Sequence, residues 1–177
     1  MIVKVFNNVK RFLFLMLLQV MVLNHVQWSG FVNPYIYILF IMMLPLETPK
    51  WALLLMGFAT GLIIDMFGNT SGLHAASATL LAFARPGVLN LISPRDGYEA
   101  ETTLTPQKLG IKWFLAYVII LTAIHHFFYF YLEVFRLSEF FFTFFKALLN
   151  TVITIVIILI GVYLFGKQPK ANERFAG

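Results

Sequence analysis

The sequence predicts an all-α, polytopic membrane protein, with six transmembrane helices forming one bundle in a single domain, residues 1–177. Of the 177 residues, 60% are hydrophobic and only 12% are charged, whereas soluble domains carry about 25% charged residues. The apolar residues fall into six continuous runs, each near the length of about 20 residues that a helix needs to cross a bilayer. The runs lack the alternation of polar and apolar residues that is typical of transmembrane β-strands.

The predicted spans follow one another through short connections and one long loop. Their limits are 12–28, 31–46, 51–67, 72–91, 113–131 and 140–165. Basic residues precede the first run, as in a signal peptide, but no small-x-small cleavage site follows it, so we expect it to remain as the first span. The loop 92–112 is polar and shows no apolar period.

The distribution of positive charge predicts the orientation of the bundle. With the N-terminus inside, the segment 1–11, the loop 92–112 and the tail 166–177 are cytoplasmic. The inner side then holds all of the 13 Lys and Arg residues, Arg85 included, except Arg136 and Lys146. This asymmetry is typical of membrane topology. We therefore expect both termini to be cytoplasmic and the lipid bilayer, rather than nucleic acid, to account for the net charge of +5.

No pattern in the chain indicates catalysis. The absence of cysteine excludes disulfides, thiol nucleophiles and cysteine-bound metal. There is no P-loop, GxSxG or HExxH motif, so no enzymatic activity, cofactor or metal is expected. A zinc site built from Asp65, His74 and His125 is conceivable, but no short ligand spacing supports it. Histidines at the membrane interface are the favoured interpretation.

The third and fourth runs carry the most informative pattern. Gly57 and Gly61 form a GxxxG motif and Asp65 follows one turn later, so the three residues share one helix face. The fourth run contains small residues at helical spacing: Gly72, Ala75, Ala78 and Ala82. Small residues let helices approach closely in membranes. Two alternatives follow. In the favoured one this face packs on the fourth helix, and in the other it receives the helix of a partner.

A tight turn is predicted between these two runs. Gly68 and Asn69 begin it, and Asn69, Thr70 or Ser71 could cap the next helix. Asp65 lies near the C-terminus of its helix, where an anion is disfavoured, so we predict that it forms a hydrogen bond with His74.

Other residues are assigned to helix ends and helix contacts. Pro45, Arg85 and Pro86 are predicted to mark a turn or a helix end. Asn150, Thr151 and Thr154 on the last run are expected to bond a neighbouring helix. These side chains are polar within apolar runs, which indicates contact with protein rather than with lipid.

Residues 34–86 resemble the core of the family of bacterial rod shape-determining proteins called MreD. The resemblance rests on Leu44 and Pro45 after a short helix, on Gly57, Gly61 and Leu62, on Asp65, Met66 and Phe67, on Gly72, Leu73 and His74, and on Arg85 and Pro86. It implies a non-enzymatic scaffold subunit of the cell-elongation complex in the bacterial inner membrane. Such a subunit joins the bitopic protein MreC and, through it, MreB, RodA and a penicillin-binding transpeptidase.

The resemblance also supplies an alternative function. The MreD family is similar in membrane fold to the substrate-binding subunits of energy-coupling-factor vitamin transporters, which have six helices and an outward-facing pocket. A subunit of that kind would present several convergent polar side chains to a buried small molecule. A scaffold would instead offer a surface that fits another membrane protein.

Overall fold

The computed structural model describes residues 2–25, 31–99 and 102–165, and these ranges form an all-helical fold without strands. The helices are α1 (Ile2–Met21), α2 (Ile38–Met42), α3 (Lys50–Gly68), α4 (Leu73–Leu91), α5 (Pro106–Leu109), α6 (Ile111–Val134) and α7 (Phe140–Phe165). Two short 3-10 turns are present at Leu23–His25 and Leu137–Glu139. The predicted all-α class is confirmed, and the predicted tail 166–177 lies outside the described residues.

Four segments within these ranges are long and apolar enough to cross a membrane. They are Phe6–His25, Lys50–Gly68, Ile111–Val134 and Phe140–Leu164. These segments correspond to the first, third, fifth and sixth predicted runs, and they mark the chain as a membrane protein. The fourth run forms α4 as predicted, but α4 is not among the four apolar segments because it carries more polar and small residues.

The prediction of a spanning helix over 31–46 is wrong. Only Ile38–Met42 is helical there, and the backbone before it is extended or turned. Pro34 and Pro45 lie near the two ends of the run, and each lacks the N–H group that a continuous helix needs. Residues 34–42 are nevertheless all buried. The segment 31–46 is therefore an irregular stretch of backbone inside the bundle.

The prediction that Arg85 and Pro86 mark a helix end is also wrong. Helix α4 continues through Pro86 to Leu91. A proline inside a helix removes one backbone hydrogen bond, and membrane helices tolerate this where neighbouring protein groups compensate. Arg85 therefore lies within α4, where it is only 2% exposed, and it does not belong with the loop charges from which the orientation was predicted.

Helix α4 occupies the centre of the bundle. It packs against α3 on one side and α6 on the other, α7 packs on α6, and α2 lies among α1, α3, α4 and α6. The predicted loop 92–112 is partly helical, because it contains α5 and the first residues of α6. The bundle thus has two ends, one at the α3–α4 turn and one at the α4–α6 loop.

Candidate functional site

The GxxxG face of α3 is in contact with α4. A Cβ atom added at Gly57 would lie 2.8 Å from Cβ of Ala82 and 2.9 Å from the carbonyl oxygen of Ala78. A Cβ added at Gly61 would overlap the backbone of His74 and Ala75. The groove formed by the two glycines is therefore filled by α4, and it is not free for the helix of another protein.

Asp65 caps the N-terminus of α4. Its Oδ1 accepts hydrogen bonds from the Thr70 hydroxyl at 2.5 Å and from the His74 backbone N–H at 3.0 Å, and its Oδ2 accepts one from the Ala75 N–H at 2.8 Å. The N-cap residue Gly72 has no side chain to do this. The carboxylate also lies at the positive end of the α4 dipole, which offsets its unfavourable position at the end of α3.

The predicted tight turn is present, but the prediction that Asn69, Thr70 or Ser71 caps α4 is wrong, because the capping carboxylate belongs to Asp65. Asn69 adopts a left-handed conformation with φ 51° and ends α3, and Gly72 has φ +86°. Asparagine and glycine are the residues that tolerate this region best. The predicted bond between Asp65 and His74 is present, but it uses the backbone N–H of His74, and the imidazole ring turns away to another partner.

Six aromatic and histidine side chains form a buried cluster at the same end of the bundle, which we call the histidine–tyrosine cluster. Its members are Tyr35, Tyr37, His74, His125, His126 and Tyr129, all between 0 and 6% exposed. The Tyr37 hydroxyl lies 2.8 Å from Nε2 of His125 and 3.2 Å from Nδ1 of His74. The cluster therefore joins the segment 31–46 to α4 and α6.

The hydrogen bonds of His126 define its tautomer. Nδ1 lies 3.0 Å from the carbonyl oxygen of Thr122, and Nε2 lies 3.0 Å from Oγ1 of Thr154. A carbonyl can only accept, so Nδ1 carries the proton and Nε2 accepts the proton of the Thr154 hydroxyl. That hydroxyl oxygen also accepts the backbone N–H of Tyr35 at 3.2 Å. His126 thus links α6 and α7 to the segment 31–46.

Polar side chains replace the missing helical hydrogen bonds at the start of the segment 31–46. Gln19 donates to the carbonyl of Pro34 at 3.1 Å and accepts the N–H of Ile36 at 2.8 Å. Asn150 accepts the N–H of Asn33 at 2.6 Å and donates to the carbonyl of Phe31 at 2.8 Å. Buried backbone groups need such partners because water does not reach them.

The other end of the segment is held by basic and phenolic groups. The Arg85 guanidinium donates to the carbonyl groups of Met42, Leu44 and Pro45, and the Tyr117 hydroxyl also donates to the carbonyl of Met42 at 2.8 Å. Arg11 donates to the carbonyl of Met43 at 2.9 Å. We call Gln19, Arg85, Tyr117, Asn150 and Thr154 the polar clamp.

The three residues considered for zinc are not brought together as a donor set. The Asp65 carboxylate faces the N–H groups of α4, and both His74 and His125 bond Tyr37. Among the described residues, no group of three His, Cys, Asp or Glu side chains could hold a metal ion.

The sequence located some of these groups and missed others. Thr154 bonds His126 on the neighbouring helix α6, as expected. Asn150 also bonds neighbouring protein, but its partner is the irregular backbone of the segment 31–46, and Thr151 bonds the carbonyl of Ala147 within α7. Tyr35, Tyr37, Gln19 and Tyr117 were not singled out. The available signal was the pair of prolines near the two ends of the second run. Prolines interrupt a helix, and the buried backbone groups that are then left unpaired need side chains as hydrogen-bond partners.

Comparisons of the chain with family models, with curated proteins and with solved structures give no match. The expected similarity to the substrate-binding subunits of energy-coupling-factor transporters therefore has no support from a solved structure.

Proposed function

We propose that the chain is a non-enzymatic scaffold subunit of the bacterial cell-elongation complex, similar to MreD, which docks an MreC-like bitopic protein in the inner membrane. MreB, RodA and a penicillin-binding transpeptidase would join through that partner. The proposal starts from the resemblance of residues 34–86, and one observation carries it further: most of the interior polar side chains that the structure describes are used in internal bonds. Side chains committed in this way stabilise a scaffold and leave few groups for a substrate.

The same bonds support six membrane crossings. Gln19 on α1 bonds residues 34 and 36, whereas Arg11, two turns earlier on α1, bonds residue 43. The segment 31–46 therefore runs back along α1. Irregular backbone is tolerated at membrane depth where it is buried in protein. With α4 and the four apolar segments, the proposed topology has six crossings. The asymmetry of the positive charges then favours cytoplasmic termini and an α3–α4 turn on the outer side.

We place the partner-docking surface at that turn. Met66 and Phe67 follow Asp65 in the last turn of α3 and are 73% and 63% exposed, so they form an apolar surface beside the turn that Asp65 holds in shape. Large exposed side chains on an ordered backbone suit a contact with another protein, because little conformational entropy remains to be lost on binding.

Substitutions of Asp65 test this proposal. Asp65→Ala removes all three accepted bonds, and loss of a helix cap costs about 0.5–2 kcal/mol, enough to loosen the turn without unfolding the bundle. Asp65→Asn keeps an oxygen for Thr70 and His74, but its NH2 group cannot accept the N–H of Ala75. We expect copurification with an MreC-like protein in mild detergent to fall strongly for Asp65→Ala and less for Asp65→Asn.

The control is Asp96→Ala, which removes an exposed acid from the loop at the opposite end of the bundle. It should copurify like the unmodified protein. Should both Asp65 variants retain the partner and support normal cell shape, Asp65 has no role in docking and the proposed surface is wrong.

A transporter subunit is the second candidate. The observation in its favour is the histidine–tyrosine cluster, where polar side chains from three parts of the chain converge at the proposed outer end. Its burial argues against an open ligand pocket. A thermal-shift screen with water-soluble vitamins discriminates the two functions: a saturable rise in Tm that His125→Phe abolishes would favour the transporter, and its absence together with partner copurification would favour the scaffold.

A further inference from the structure

Two polar atoms on one face of α6 are buried without a hydrogen-bond partner among the described residues. They are Oγ1 of Thr122 and Nδ1 of His125, and both residues are 0% exposed. Residues three apart on a helix are neighbours, so the two side chains lie next to each other on α6. Buried polar atoms are almost always paired with protein or with ordered water, so two such atoms on neighbouring residues of one helix indicate a shared partner.

The bonds of Tyr37 define what could pair with His125. The hydroxyl of Tyr37 has one proton and contacts an imidazole nitrogen of both His74 and His125. It must donate to one ring and accept from the other. If it donates to His125, Nδ1 of that ring carries a proton and needs an acceptor. If it accepts from His125, Nδ1 is unprotonated and needs a donor.

A single partner that suits both arrangements has to donate and accept hydrogen bonds. We propose that Thr122 and His125 bind one buried water molecule, which completes a hydrogen-bonded chain from Thr122 through His125 and Tyr37 to His74. Buried waters make about three hydrogen bonds to otherwise unpaired groups. The hydroxyl and the imidazole supply two of them, and the carbonyl oxygens of the preceding turn of α6 retain a lone pair for a third.

The chemistry of the site favours a neutral molecule. A cation would need a charged ligand. The carboxylate of Asp65, which bonds the backbone of His74, already accepts three hydrogen bonds at the turn and at the start of α4. The bound water would join α6, the segment 31–46 and α4 through one continuous network. This inference does not depend on the proposed scaffold function.

Thr143 on α7 provides a matched control. Its hydroxyl oxygen is also buried and unpartnered among the described residues, but the residues three and four positions later, Lys146 and Ala147, offer no unpartnered atom. Thr→Val preserves the shape of the side chain and removes only the hydroxyl. If Thr122 holds water, Thr122→Val removes one of its ligands and leaves His125 without a partner. If Thr122 does not hold water, Thr122→Val removes a buried hydroxyl without a hydrogen-bond partner, and the protein should become no less stable.

The experiment measures thermal unfolding of the full chain in detergent micelles. We expect Thr122→Val to lower Tm by roughly 2–4 °C, Thr122→Ser to restore most of the loss, and Thr143→Val to leave Tm unchanged or raised. Water-edited solid-state NMR of histidine-labelled protein in bilayers gives a second readout. Magnetisation should pass from water to the His125 ring, and Thr122→Val should abolish this transfer. An unchanged or raised Tm for Thr122→Val, or no transfer to His125 in the unmodified protein, would overturn the proposal.

Discussion

The α3–α4 pair and the segment 31–46 solve the same problem, burial of backbone inside an apolar bundle, by different means. In α3 and α4 the backbone satisfies its own hydrogen bonds, so the interface needs only shape, and glycine and alanine let the two helices touch. The segment 31–46 is mostly not helical, so several of its N–H and C=O groups are satisfied by side chains of α1, α4, α6 and α7. One region depends on the absence of side chains and the other on specific polar side chains.

This difference has an energetic consequence. An interface made of small residues fails when a large side chain is inserted, since backbone cannot move aside as a flexible side chain can. A segment held by polar side chains fails when one of them is removed, since the buried backbone group that remains is left without a partner. The two regions should therefore respond to opposite kinds of substitution.

The largest effect is expected for Gly61→Leu. A Cβ at this position already overlaps the backbone of α4. Overpacking typically costs about 1–3 kcal/mol, and we expect the loss in free energy of unfolding to reach or exceed the top of that range. Gly87→Leu is the matched control, because a Cβ added there meets no atom within 4 Å. Unfolding by increasing fractions of sodium dodecyl sulfate measures the stability of both variants. Equal stabilities for the two variants would show that α3 and α4 are not in close contact.

A smaller effect is expected for Arg85→Met, which keeps an unbranched side chain but removes every donor to the carbonyl groups of the segment 31–46. Leaving buried acceptors unpaired costs about 1–3 kcal/mol. The stability of Arg85→Lys should lie between those of the unmodified protein and Arg85→Met, because an ammonium group can donate hydrogen bonds but lacks the planar fork of a guanidinium. Arg95→Met, in the exposed loop, should leave the unfolding midpoint unchanged. A stability of Arg85→Met equal to that of the unmodified protein would contradict the role assigned to Arg85.

The same contrast explains what the sequence could predict. The helices α3, α4, α6 and α7 were predictable because their apolar runs are long and their contacts follow a local spacing, as for Gly57 and Gly61. The cap by Asp65 was partly predictable, since an acid at the end of one helix needs a partner and the next helix begins a few residues later. The sequence did not show whether Asp65 would bond the imidazole ring of His74 or its backbone N–H group.

The backbone partners of the polar clamp were beyond prediction for a physical reason, although Asn150 and Thr154 themselves were singled out. Gln19, Arg85 and Asn150 lie on three different helices, and no spacing along the chain relates them to Pro34 or Leu44. Each looks like an isolated polar residue until the bundle is assembled. Arg85 misled the assignment of positive charge to loops, because a buried guanidinium that bonds carbonyl groups has the same sequence signature as one at a helix end.

Cysteine accessibility tests most directly the central claim that the segment 31–46 crosses the membrane as irregular, clamped backbone. The chain has no native cysteine, so single substitutions at Asn7, Glu47, Asp96 and Ser138, all exposed, report without background. In intact cells a membrane-impermeant maleimide should label Ser138→Cys alone, and the other three should be labelled only after the membrane is opened. If Asn7→Cys and Glu47→Cys report opposite sides of the membrane, the segment 31–46 does not cross it and the account is contradicted.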